Sequence, residues 1–92
     1  LFAFNDDMAV GAMRALHEAG LKIPDDVSVI GIDNDPLSAY LNPPLASIEL
    51  PIAAITNFAM NIALELAHGK KVEAKTQEFK SKLILRDSIR YL

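Results

Sequence analysis

Two short clusters, Asn5-Asp6-Asp7 and Asp33-Asn34-Asp35, carry the side chains of this 92-residue chain whose types and spacing suit chemistry best. Each follows an apolar run, residues 1–4 and 27–32, of the kind that forms a strand in an α/β protein. Carboxylates and amides make paired hydrogen bonds to hydroxyls and ring nitrogens, so a polyol or a nucleobase suits these clusters better than an anion does. Asp and Asn after a strand also cap helices and form turns, and that simpler role stays open for both clusters. Asp6 and Asp7 read as caps whichever role Asn5 takes. Asp33 and Asp35 stand two apart in one loop, without the enforced separation or opposed placement that glycoside hydrolysis demands of its two carboxylates.

Other chemistry finds little support. His17 and His68 lie on polar helix faces without a neighbouring metal ligand at i+4 spacing, and there is no Gly-rich phosphate loop, nucleophile elbow or Cys/His metal pattern. No catalytic residue, metal ligand or cofactor is therefore assigned. The methionines Met8, Met13 and Met60 read as packing residues. A formal charge of -3 and a pI near 5.2 argue against a surface that tracks phosphates, so these residues alone are not expected to hold DNA. Cysteine is absent, which excludes disulfides and thiol nucleophiles and fits a reducing compartment. No apolar stretch reaches the roughly 20 residues of a membrane span, and no basic-then-apolar leader opens the chain. The first residue is Leu1 and not Met, so an upstream signal or domain is compatible with the sequence.

The elements that must position the two clusters follow from periodicity. From Met8 onward, Ala9, Ala12, Met13, Leu16 and Ala19 recur at spacings of three and four, which predicts a helix stopped by Gly20. Residues 23–26 form a turn, and residues 27–32 are β-branched and nearly all apolar, as in a strand covered on both faces. Strand, helix, strand in this order predicts a right-handed parallel unit. Residues 33–44 hold three prolines, two Asp and two Asn, which predicts a loop with a short helical turn at residues 38–41. A brief strand is expected at residues 47–50. Pro51 then opens a second helix whose stripe is Ile52, Ile55, Ala59, Ile62 and Leu66, ended by Gly69. A polar stretch, residues 70–82, precedes a last strand at residues 83–85. The fold class is α/β, a parallel sheet with flanking helices, and ligands of such sheets bind beyond the carboxyl ends of the strands, where both clusters fall.

The run from Asn5-Asp6-Asp7-Met8-Ala9-Val10-Gly11-Ala12-Met13-Arg14-Ala15-Leu16 to Gly20-Leu21-Lys22-Ile23-Pro24-Asp25-Asp26-Val27-Ser28-Val29-Ile30-Gly31-Ile32-Asp33 closely resembles the effector-domain signature of LacI/GalR repressors. Pro43-Pro44-Leu45 and the closing Leu85-Arg86-Asp87-Ser88 continue the likeness over nearly the whole chain. The resemblance implies a fragment of a two-lobed, periplasmic-binding-protein-like fold. Residues 1–50 would belong to its C-terminal lobe, residues 51–81 would supply a crossover helix and a segment of the N-terminal lobe, and residues 82–92 would return. It also implies that Asn5 and Asp33 bind a small-molecule effector, such as a sugar, in the interlobe cleft, and that Ile52 adds an apolar wall. Val10, Arg14, Tyr40 and Leu41 become candidates for a homodimer interface. Operator DNA would be held only by an upstream domain, in a cytoplasmic regulator that is not an enzyme and has no membrane partner. The family alternative is a periplasmic solute-binding protein of a sugar transporter, against which the repressor-like run at residues 23–33 speaks.

Three positions depart from the family pattern. Asn34 stands where a second Asp is frequent, Ala46-Ser47 where a Thr pair is frequent, and Leu50 where a polar Gln is frequent. Leu50 bears most on the identity of the effector. A chain of this extent is also expected to self-associate through the apolar stripe of its second helix.

Overall fold

The computed structural model describes residues 1–72 and 77–91. Residues 73–76, within the polar stretch expected before the last strand, lie outside the described residues. The chain divides into two compact units, Leu1–Leu50 with Lys82–Leu92, and Pro51–Ser81.

In the first unit, helix α1 spans Asp6–Glu18. Its buried face is Asp6, Ala9 and Met13, with Leu16 packed against the same core, a three-and-four spacing that puts one stripe of the helix inward. Ala19, expected on that stripe, is exposed because the helix has ended there. Gly20 at φ 76 ends it in a Schellman turn: its own N–H donates to His17 O at 3.0 Å, and Leu21 N–H donates to Leu16 O at 2.9 Å.

Three strands form the sheet in the order β1-β2-β3, with β1 at Ile30–Ile32, β2 at Ala46–Glu49 and β3 at Lys82–Ile84. β1 and β2 are parallel, with Gly31 opposite Ser47, whereas β3 runs antiparallel to β2, with Ile84 opposite Ser47. The first apolar run falls short of the expected buried strand. It makes one parallel bridge, Phe2 with Ile30, and Leu1, Phe2 and Phe4 are exposed while only Ala3 is buried. Likewise, the strand expected over residues 27–32 pairs only over its last three residues, because Val29 N–H donates to Ser88 O at 2.9 Å instead of to a sheet neighbour. The loop after β1 holds a 3-10 turn at Pro36–Tyr40, whose first residue suits the fixed φ of proline.

The core comprises Ala3, Ala9, Met13, Val29 and Leu45, with Leu16, Ile23, Val27 and Leu41 packed against it. Beside this apolar set lie the buried polar residues Asp6, Ser38, Ser47 and Ser88. Ser88 closes the unit: its hydroxyl donates to Val29 O at 2.6 Å and accepts from Ala46 N–H at 2.8 Å.

In the second unit, helix α2 spans Ile52–Ala67 behind Pro51. Ile55, Phe58 and Ile62 are half-buried, while Ile52, Met60, Leu64 and Leu66 are exposed. The sheltered stripe is therefore narrower than expected and includes Phe58, whose ring meets Phe79 edge-on with centroids 5.8 Å apart. Gly69 at φ 73 closes the helix as Gly20 does α1, with Lys70 N–H donating to Glu65 O at 3.0 Å.

Candidate functional site

The loops at the carboxyl ends of the first apolar run and of β1 are joined by one carboxylate. Asp6, only 3% exposed, accepts from Asp35 N–H at 2.7 Å and the Ser38 hydroxyl at 2.6 Å through Oδ2, and from the Ser47 hydroxyl at 2.8 Å through Oδ1. This corrects the reading of Asp6 as a cap. The cap of α1 is Asn5, whose Oδ1 accepts from Met8 N–H at 2.8 Å. Asp7, exposed in the first turn, makes no side-chain hydrogen bond among the described residues and still favours the helix dipole. A signal for Asp6 was present in the sequence: residues 6, 9, 13 and 16 share one helical stripe, and a carboxylate on a buried stripe must find donors because burying it unpartnered is costly.

Capping and ligand binding are compatible at Asn5. The cap uses the carbonyl oxygen of the side chain and leaves the two amide hydrogens without a partner among the described residues. The cap bond also fixes the rotamer, so the half-buried amide is an oriented donor.

Asp33 leaves β1 with φ 110 and Asn34 follows with φ 52, the two non-glycine residues with positive φ among the described residues. Asn tolerates the left-handed region, but Asp at φ 110 is strained, at a cost on the order of 1–3 kcal/mol, and such conformers persist only where the surroundings enforce them. The enforcement is visible at three successive amides. Asp33 N–H donates to Ile48 O at 2.8 Å, Asn34 N–H to Ser47 Oγ at 2.9 Å, and Asp35 N–H to Asp6 Oδ2. Arg86 completes the arrangement, with Nη2 donating to Asn34 Oδ1 and Nη1 to Leu45 O, both at 2.7 Å. The Asp33 carboxylate itself is exposed and accepts no hydrogen bond among the described residues. Asp35, by contrast, is spent locally: its Oδ1 accepts from Leu37 N–H at 2.9 Å at the head of the 3-10 turn.

Asn5 and Asp33 thus stand in two loops that Asp6 ties together, while Ile52 is the exposed first residue of α2 in the other unit. Among the interface candidates, Val10 and Arg14 lie on the outer face of α1 and, with the half-buried Leu41, line a shallow depression of about 170 Å³. Arg14 Nε donates to Glu18 Oε1 at 2.8 Å, one turn on along the helix, and Tyr40 is 84% exposed. Sequence reasoning assigned no role at the site to Ser38, Ser47 or Arg86. Among the described residues no group of three His, Asp or Glu side chains is gathered for a metal ion, and no helix is long and apolar enough to cross a membrane.

Comparison with known proteins identifies the family and the fold. The sequence profile of the periplasmic binding protein-like domain matches residues 1–89. The chain is 40% identical over all 92 residues to the HTH-type transcriptional repressor PurR of Vibrio campbellii, of which it spans 28%. Its fold is similar to that of a LacI family transcriptional regulator from Enterococcus faecalis with bound ribose, at a TM-score of 0.82 and 39% identity, covering 96% of this chain and 33% of that one. It is also similar to a periplasmic binding protein/LacI transcriptional regulator from Alkaliphilus metalliredigens complexed with D-xylulofuranose, at a TM-score of 0.84 and 33% identity over 98% of this chain and 34% of that one. The α/β architecture and the signature from Asn5 to Asp33 have one explanation: the chain belongs to the periplasmic binding protein-like domain family, in the form carried by LacI-type transcriptional regulators.

Proposed function

We propose that this chain is part of the effector-binding region of a cytoplasmic LacI-type repressor. In this reading Leu1–Leu50 with Lys82–Leu92 contribute to the C-terminal lobe, and Pro51–Ser81 contribute the crossover helix and a segment of the N-terminal lobe. Asn5 and Asp33 bind a small neutral molecule such as a sugar, and Ile52 supplies an apolar wall of the cleft. The observation that carries the reading is the exposed Asp33 carboxylate, set on strained backbone in a loop tied through Asp6 to the loop of Asn5. Strain of this kind is concentrated at ligand sites. The Asn5 amide donates and the Asp33 carboxylate accepts, which together match the paired donor and acceptor of vicinal hydroxyls. The relatives bound to ribose and to D-xylulofuranose support a sugar.

The mechanism is population shift: effector in the cleft favours one relation of the lobes and so changes how upstream DNA-binding modules meet the operator. No bond is made or broken. The regulator acts as a homodimer through Val10, Arg14, Tyr40 and Leu41.

The test is operator binding by the intact protein, followed by fluorescence anisotropy with D-ribose, D-xylose, adenine and guanine as probes. Asn5→Ala and Asp33→Ala are expected to abolish the response to the active probe while operator affinity persists. An unchanged response in both variants removes the pair from the site. Absence of operator binding by the unmodified protein favours solute transport over repression.

A further inference from the structure

We infer that Asp6, Ser47, Asn34 and Arg86 form a bracket of positioning residues that presents Asp33 to the effector; this rests on the reading of Asp33 as a ligand-binding residue. Four hydrogen bonds run in series. Arg86 Nη1 donates to Leu45 O and Nη2 donates to Asn34 Oδ1, Asn34 N–H donates to Ser47 Oγ, and the Ser47 hydroxyl donates to Asp6 Oδ1. The series therefore starts in the segment after β3, passes the residue next to Asp33, crosses β2 and ends in the first turn of α1. A second branch from Asp6 Oδ2 holds Asp35 N–H, and Asp33 N–H donates to Ile48 O, so the backbone is fixed at Asp33 and at the two residues that follow it.

Neither end of this bracket is free to drift. Asp6 and Ser47 are buried at 3% and 0% exposure, and a Cβ on Gly31 would overlap Asp6 Oδ1. Arg86 spends its donors on a backbone carbonyl and a neutral amide, and no carboxylate lies within salt-bridge distance of it among the described residues. It orients Asn34 instead of neutralising an acid. The bonds hold Asp33 at φ 110, a conformation that a free loop would leave, while its carboxylate stays clear of every one of them. Holding a binding group in its bound conformation before the ligand arrives removes an ordering cost from association.

The experiment compares probe binding by calorimetry and unfolding by urea in the intact protein, with the four probes D-ribose, D-xylose, adenine and guanine. Ser47→Ala and Arg86→Met break the series at its middle and its outer end, and Ser47→Thr keeps the hydroxyl. The expected result is that the first two weaken the active probe by about tenfold or more while operator affinity is kept, and that Ser47→Thr binds within roughly threefold of the unmodified protein. Should Ser47→Ala fail to fold, Arg86→Met decides alone, because Arg86 lies outside the buried set. Unmodified affinity in Arg86→Met and in folded Ser47→Ala overturns the bracket, as does a Ser47→Thr as weak as Ser47→Ala. Asp33→Ala, run in parallel, separates the two levels. Its loss of binding beside intact Ser47→Ala and Arg86→Met overturns the bracket only, whereas retained binding in Asp33→Ala, or no binding of any probe to the unmodified protein, overturns the underlying reading.

Discussion

The Asp6 carboxylate and the Ser47 hydroxyl meet at 2.8 Å in the interior, and through that contact the first turn of α1 is fastened to β2. Asp6 also holds Asp35 N–H and the Ser38 hydroxyl, so its removal leaves three donors without their acceptor. Each buried donor left unsatisfied costs about 1–3 kcal/mol, and the three act on one group, so Asp6→Ala is expected to lower stability by about 3 kcal/mol or more. Urea denaturation of the intact protein checks this, and a loss below roughly 1 kcal/mol would mean that water replaces the carboxylate.

Gly31 is required by the same carboxylate. A Cβ there would overlap Asp6 Oδ1 and approach the Asp6 backbone at 3.3 Å. Gly31→Ala is expected to cost about 1–3 kcal/mol by overpacking. In the double variant with Asp6→Ala the overlapping oxygen is gone, so the two losses should be less than additive by about 0.5 kcal/mol or more, the range that contacting residues give in double-mutant cycles. Strict additivity in such a cycle would place the strain elsewhere.

Asn5→Asp separates the cap from the ligand. Aspartate keeps the oxygen that accepts from Met8 N–H and is as good an N-cap as asparagine, so stability should change by no more than about 0.5 kcal/mol. The two amide hydrogens are lost, so on the proposed reading of Asn5 the effector response is expected to be lost with them. Asn5→Ala, which loses both, should cost about 1 kcal/mol in addition. A full response in Asn5→Asp would show that only the cap matters.

The elements of this fold were legible because each announces itself in a local pattern. Ala9, Met13 and Leu16 repeat at helical spacing, Gly20 and Gly69 mark helix ends that need positive φ, and Pro51 precedes α2. The pairing extents were not, since Val29 gives its N–H to Ser88, a residue 59 positions away that no local pattern connects to it. The arrangement around the candidate site was half legible for the same reason. Asn5 and Asp33 end apolar runs that mark them as candidates, whereas the hydrogen-bonding roles of Ser38, Ser47 and Arg86 depend on partners brought in by the tertiary fold. Asp6 lies between these cases, its burial implied by its helical stripe but its donors supplied from residues 29 to 41 positions along the chain.

Ser88 gives the last prediction. Its hydroxyl satisfies Ala46 N–H and Val29 O together, and its backbone bonds to Val29 N–H and Pro44 O, so the segment after β3 is stitched to β1 and β2 from one buried residue. Ser88→Ala keeps the backbone bonds and removes both side-chain bonds, leaving one buried donor and one buried acceptor, a loss of about 2–4 kcal/mol. Hydrogen exchange locates the effect. The Ala46 amide should lose protection more than the Ala9 amide, which is bonded to Asn5 O within the helix and does not depend on Ser88. Equal loss at both amides would mean that Ser88 sets the global stability of the unit. Selective loss at Ala46 would mean that the strand carrying Ser47 opens locally, and that opening would release the support under Asn34 and Asp33 before the helix unfolds.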